Sequence, residues 1–115
     1  MKIALENLQI SYICVVRSAT NVNNKITYTD LMNIDLNQFD IIINTTPLGM
    51  YPDITSKPDI NYHQLNNNQI FYDLVYNPLQ TEFLNIGEKQ GGIIKNGLEM
   101  LHLQAAAGWC IWKQY

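Results

Sequence analysis

Three consecutive polar side chains, Asn44, Thr45 and Thr46, follow directly on the apolar run Ile41-Ile42-Ile43. An amide and two hydroxyls in a row can donate to, and accept from, a bound polar ligand. Gly49 lies just beyond them and would let backbone approach that ligand closely. Arg17 and Ser18 close an earlier Ile- and Val-rich run. A guanidinium there can grip a phosphate or carboxylate bidentately. Tyr76 follows a third apolar run, Gly97 opens the last helical pattern, and Gln104 sits within it. Each has a plainer reading: a solvated turn at 44–46, a solvated strand-end arginine, an amphipathic surface tyrosine, a surface glutamine. Metal chemistry finds no support, because His63 and His102 stand alone, without Cys or His at ligand spacing.

These groups need elements to position them. A run of Ile bounded by turn residues reads as a strand buried on both faces, over residues 39–44. Residues 10–16, 26–28, 69–74 and 93–95 read as further strands. Residues 2–8 resemble the end of a helix, 29–33 a brief helix capped by Thr29-Asp30, and 62–65 one helical turn. A longer helix starts at Asn77-Pro78 or at Thr81 and stops at Gly91-Gly92. Asn96 caps the last helix, with Glu99 completing a capping box. On that helix Leu98, Leu101, Ala105, Trp109 and Trp112 form one apolar stripe at ~100° per residue. Gln104 falls half-buried at its edge, and His102 lies nearer the apolar face as a structural histidine. Strands alternating with helices argue for βαβ units and a parallel sheet. In such sheets ligands sit past the carboxyl ends of the strands, where 44–46 lie.

A chain of 115 residues is one domain at most, long enough to bury roughly two-thirds of its unfolded surface. A net charge of −3 with a single arginine leaves no footprint for nucleic acid or an anionic membrane. No apolar run approaches the ~18 residues of a membrane span, and no signal peptide is visible. Cys14 and Cys110 then read as buried thiols in a cytoplasmic protein.

Three blocks carry a resemblance. Asn44-Thr45-Thr46-Pro47-Leu48-Gly49-Met50 resembles the Asn-Ala/Thr-Thr/Ser-x-x-Gly-Met loop of the shikimate dehydrogenase family. The stretch from Asp73 through Tyr76 and Pro78 to Thr81 is similar to that family's Asp-x-x-Tyr-x-Pro-x-x-Thr segment. Asn96-Gly97-Leu98-Glu99-Met100-Leu101, with Gln104-Ala105-Ala106 and Trp109, resembles its closing helix. The blocks come in family order and span essentially the whole chain.

The resemblance implies an α/β fold: an incomplete Rossmann-like three-layer domain with a mainly parallel sheet. Residues 1–115 would be the carboxy-terminal part of the NADP-binding domain, with the substrate domain absent. No Gly precedes Gly49, so the first strand and its Gly-rich loop would also be lacking. That strand is central in the order 3-2-1-4-5-6. Residues 10–16 and 41–44 would then flank a gap with exposed edges. Three outcomes are open: a marginal chain, a homodimer or other pairing through those edges, or direct closure of the sheet.

The resemblance also implies roles. Arg17 and Ser18 would meet the 2′-phosphate of NADP, although Asn21 stands where many members carry a second arginine. Asn44, Thr45 and Thr46 would border the cofactor, with the two threonines nearest it. Backbone at Leu74 and Gly97 would border the nicotinamide, with N–H groups at the start of the last helix open to a carbonyl or carboxamide oxygen. The Tyr76 hydroxyl would meet substrate, and Gln104 would hydrogen-bond a substrate hydroxyl or carboxylate. The implied chemistry is hydride transfer between NADPH and 3-dehydroshikimate, with quinate as an open alternative. Its proton-handling Lys and Asp belong to the substrate domain; Lys25, Lys57, Asp40 and Asp73 do not match the motifs of that pair and are not cast in those roles. The expected chain is therefore catalytically inert alone. The competing readings are an interaction module that pairs with a separate substrate-domain chain and a generic α/β binding domain.

Overall fold

The computed structural model of the protein describes residues 1–18 and 23–115. They form two units, Met1–Leu36 with Asp59–Gln64, and Asn37–Pro58 with Leu65–Tyr115. Asn21 lies outside the described residues.

In the first unit, α1 (Lys2–Asn7) ends at Leu8, and Gln9 takes a left-handed φ of 57° that turns the chain. The Ile10 N–H then donates to the Leu5 carbonyl at 2.9 Å, pairing an acceptor that the helix end leaves open. β1 (Cys14–Val16) and β2 (Lys25–Thr27) pair in parallel, with Val15 opposite Ile26. β1 is shorter than the apolar run 10–16, and its residues are half-buried rather than buried. A two-stranded ladder gives such a run little to pack against. Tyr28 belongs to α2 (Tyr28–Leu31) rather than to the strand.

The cap of α2 is Thr27 rather than Thr29-Asp30. Its Oγ1 accepts from the Asp30 N–H at 3.2 Å, and Asp30 Oδ2 accepts from the Thr27 N–H at 3.1 Å. The Thr27 backbone bond, aided by its hydroxyl, holds the Asp30 carboxyl below its ordinary range. Thr27→Ala should cost about 1 kcal/mol, seen as a lower urea midpoint. An unchanged midpoint would mean that water replaces the cap. Leu31 and Leu36 are the buried apolar residues described in this unit.

The second unit holds β3 (Ile41–Asn44), β4 (Ile70–Asp73) and β5 (Ile93–Lys95), all parallel in the order β3-β4-β5. Ile42 stands opposite Phe71, and Phe71 opposite Ile94. The crossover from β4 to β5 is α3 (Glu82–Lys89), capped by Thr81 rather than opened at Pro78. Its inner face supplies Phe83 and Leu84 to a core centred on Phe71, whose ring meets Phe83 edge-on at 6.0 Å. Gly87 is required there, because a Cβ would fall 2.5 Å from the Phe71 ring. Gly91, at φ +83°, ends the helix as the Gly-Gly signal predicts.

The alternation of strands and helices is therefore realised as an α/β fold with parallel ladders. Among the described residues β1 bonds to β2 in the first unit, and β3 bonds to β4 in the second. Two expectations of burial fail. Ile41 is 45% exposed and Ile42 and Ile43 are half-buried; an end strand of a ladder lacks a neighbour on one side. In α4 (Leu98–Trp112) no residue is buried, and Trp109 and Trp112 are 58% and 73% exposed. His102, Gln104 and Cys110 are exposed with them, and Cys14 is half-buried. Helical periodicity marks a face suited to burial but supplies no partner for it.

Candidate functional site

Because β3, β4 and β5 run parallel, their carboxyl ends share one edge of the sheet. Asn44 stands opposite Asp73 there, and the Leu74 N–H donates to the Asn44 carbonyl at 3.1 Å. The Gly97 N–H donates to the Val75 carbonyl at 3.2 Å. The loop after β3 is tied to the loop after β4 by the Tyr51 N–H, 2.9 Å from the Asn77 carbonyl. Asn96 Nδ2 reaches the Leu79 carbonyl at 2.8 Å and ties in the approach to α4. Residues 44–46, Leu74, Tyr76 and Gly97 thus gather along one edge.

Gly97 is buried, and a Cβ on it would overlap the Leu74 carbonyl. The end of β4 and the start of α4 therefore touch through backbone alone. Gly49 has a similar internal duty. It turns at φ +89°, donates its N–H to Ser56 Oγ at 2.8 Å, and packs against Thr81.

Beneath the edge lies a buried polar cluster. Asp73 is 0% exposed and Asn44 2%. The Asp73 carboxylate accepts from Thr81 Oγ1 at 2.6 Å, from the Val75 N–H at 3.0 Å and from Asn44 Nδ2 at 3.1 Å. Asn44 Nδ2 also donates to the Leu48 carbonyl at 3.2 Å. Its Oδ1 accepts from the Thr46 N–H at 3.0 Å and the Thr46 hydroxyl at 2.6 Å. The Thr46 hydroxyl in turn accepts from the Leu48 N–H at 3.2 Å. The polar atoms of Asn44 and Thr46 are thus turned inward, and of the expected site residues on this edge Thr45 and Tyr76 keep exposed polar side chains.

Burial pushes the Asp73 carboxyl above its ordinary range, against the opposing pull of the Thr81, Val75 and Asn44 donors. The folded chain then keeps this proton to higher pH than the unfolded chain. The stabilisation is complete below the unfolded value of 3.8 and is lost as pH rises through the raised one. The stability difference between the wild-type chain and Asp73→Asn, from urea curves, should therefore shrink from about pH 4 upward. A difference that is flat or grows with pH would contradict this.

The start of α4 differs from the expected capping box. Gly97 is the cap residue, and Asn96 Oδ1 accepts from the Leu98 N–H at 3.1 Å. The Glu99 carboxylate pairs with Lys95 Nζ, one turn back, because an opposite charge lies within reach. The Gly97 and Leu98 N–H groups are thus already committed inside the chain. Arg17 and Ser18 follow β1 in the first unit, and both are exposed. Gln104 lies in mid α4, exposed, with no side-chain hydrogen bond among the described residues. A cleft of about 360 Å³ in the first unit, lined by Tyr28, Thr29, Met32, Asn33 and Asp59, contains none of the expected site residues. Among the described residues no three His, Cys, Asp or Glu side chains gather as metal ligands. No described helix is long and apolar enough to cross a membrane.

No family model matches the chain. Over 85 residues, 74% of its length, it is 48% identical to a shikimate dehydrogenase (NADP(+)) from Methanococcus vannielii. The fold of shikimate dehydrogenase 1 from Peptoclostridium difficile covers 98% of the chain at 34% identity, with a TM-score of 0.79. The chain belongs to the shikimate dehydrogenase family. A shikimate dehydrogenase crystallised in complex with NADP+ covers 73% of it at 40% identity and a TM-score of 0.66. The chain spans 30% of the length of the Methanococcus relative, 44% of the Peptoclostridium chain and 29% of the NADP+ complex. Within this family member, sequence reasoning left Asp73 and Thr81 without a role. Their signal was present: two polar residues eight apart, one ending a strand and the other capping the next helix.

Proposed function

We propose that the chain is the carboxy-terminal part of the NADP-binding domain of a shikimate dehydrogenase, an NADP-dependent enzyme reducing 3-dehydroshikimate to shikimate. One observation carries this reading: Asn44–Thr46, Leu74 and Gly97 converge on the carboxyl edge of a parallel sheet, in a chain that over 85 residues is 48% identical to a shikimate dehydrogenase. The backbone-only contact between Gly97 and Leu74 and the exposed Thr45 hydroxyl fit a flat, amide-bearing ring. NADP, when bound, supplies or accepts the hydride. Thr45 and the backbone of Leu74 and Gly97 would border it, and Arg17 with Ser18 would meet its 2′-phosphate. Tyr76 and Gln104 would face the substrate from this side. The proton-handling residues lie in the substrate domain, so the chain alone is inert, and a cytoplasmic setting accompanies this reading.

Titration of the purified chain with NADP+ and NAD+ tests the cofactor assignment. NADP+ should bind more tightly, and Arg17→Leu should erase the preference. Failure of both nucleotides to bind at millimolar concentration would overturn the reading. Robust shikimate oxidation by the chain alone would overturn its inertness.

The second reading is a module that pairs with a separate substrate-domain polypeptide. It is favoured by the uncovered apolar side chains of α4, Leu103, Trp109, Ile111 and Trp112. Mixing the chain with a relative's substrate domain should then shield Trp109 and Trp112 from iodide and lower their quenching. Unchanged quenching would reject it.

A further inference from the structure

We propose that Asp73 is a positioning residue for the cofactor edge. Its carboxylate holds the loop after β3, through Asn44, in one fixed relation to the turn after β4, through the Val75 N–H and Thr81. This inference rests on the reading of that edge as a nucleotide site.

The atoms support it in sequence. Asp73 Oδ1 takes both the Asn44 Nδ2 and the Val75 N–H, and Oδ2 takes the Thr81 hydroxyl. From Asn44 the bonds continue to Thr46 and from Thr46 to the Leu48 N–H. One buried carboxylate therefore stands at the root of two loops whose exposed polar side chains include Thr45 and Tyr76. Asp73 itself has no exposed surface and cannot touch a ligand directly. Burying a carboxylate is costly, and stability alone would favour an apolar residue or an amide. What an amide lacks is acceptor capacity for three donors, since Asn offers a single acceptor oxygen and two N–H groups. The three donors come from β3, from the turn after β4 and from the cap of α3. A carboxylate is the small side chain that satisfies all three.

The test is amide hydrogen exchange by NMR on the whole chain, with NADP+ titrated in parallel, for wild type, Asp73→Asn and Thr81→Ser. In Asp73→Asn the Thr46, Leu48 and Val75 amides should exchange about tenfold faster, with Phe71 and Tyr72 unchanged, and NADP+ affinity should fall about tenfold. Thr81→Ser keeps the hydroxyl and should behave as wild type. A uniform rise across β3 to β5 would mean a purely structural residue and overturn the proposal. Faster loop exchange with unaltered NADP+ affinity would overturn it too. If wild type binds no NADP+, the cofactor reading itself falls, while the exchange pattern still decides whether Asp73 holds the loops. Should Asp73→Asn not fold, acid titration of the wild-type chain decides. The Val75, Thr46 and Leu48 amide shifts should then move with one midpoint, and movement of Val75 alone would overturn the proposal.

Discussion

Gly97→Ala should lower the stability of the chain by about 3 kcal/mol, the cost of overpacking a site that cannot give. The backbone itself would tolerate alanine, because Gly97 has φ −84° and ψ 1°. The penalty is steric: a Cβ there overlaps the Leu74 carbonyl. Neither partner is free to retreat. Leu74 is held by its N–H bond to the Asn44 carbonyl, and Gly97 by its bond to the Val75 carbonyl. Relief would therefore pull α4 away from β4 and open the edge where the site residues gather. Gly108→Ala is the control, since nothing lies within 4 Å of its missing Cβ. In mid-helix that change should stabilise by about 0.5–1 kcal/mol. Urea unfolding followed by circular dichroism reads both. A wild-type midpoint for Gly97→Ala would mean that the two backbones do not meet.

Thr81→Val should cost about 3 kcal/mol as well, by a different route. Valine keeps the branched shape and puts a methyl in place of the hydroxyl. That hydroxyl caps α3 by accepting from the Leu84 N–H at 3.3 Å, and it donates to Asp73 at 2.6 Å. Loss of the cap alone is worth about 1 kcal/mol. The remainder comes from a buried carboxylate stripped of its shortest donor, on the order of 1–3 kcal/mol. Thr81→Ser restores both bonds and should recover most of the loss. A loss in Thr81→Ser with wild-type stability in Thr81→Val would assign the effect to the methyl group, which packs beside Gly49, and not to the hydroxyl.

Parts of the fold were legible because local chemistry decides them. Thr81 capping α3, Gly91 ending it, and the strand at Ile93–Lys95 all follow from residues near in sequence. The boundaries of β1 and α2 were not, since Tyr28 suits a strand by propensity. Thr27 and Asp30 captured it for a helix through a reciprocal cap. The burial of Ile41–Ile43 was misread for a related reason. An apolar run is compatible with a central strand, but strand order alone determines how many neighbours it has.

The site divides along the same line. Residue types and spacing singled out Asn44, Thr45, Thr46, Tyr76 and Gly97, the family resemblance added Leu74, and parallel pairing carries them to one sheet edge. Which of their atoms remain available was invisible in one dimension. Asn44 and Thr46 spend their polar atoms on Asp73, on each other and on Leu48, whereas Thr45 stays exposed. Those bonds join residues 29 and 8 positions apart, Asn44 to Asp73 and Asp73 to Thr81. Periodicity and propensity act over one or two turns of chain. A buried carboxylate finds its donors only when strands and a helix cap have been packed around it.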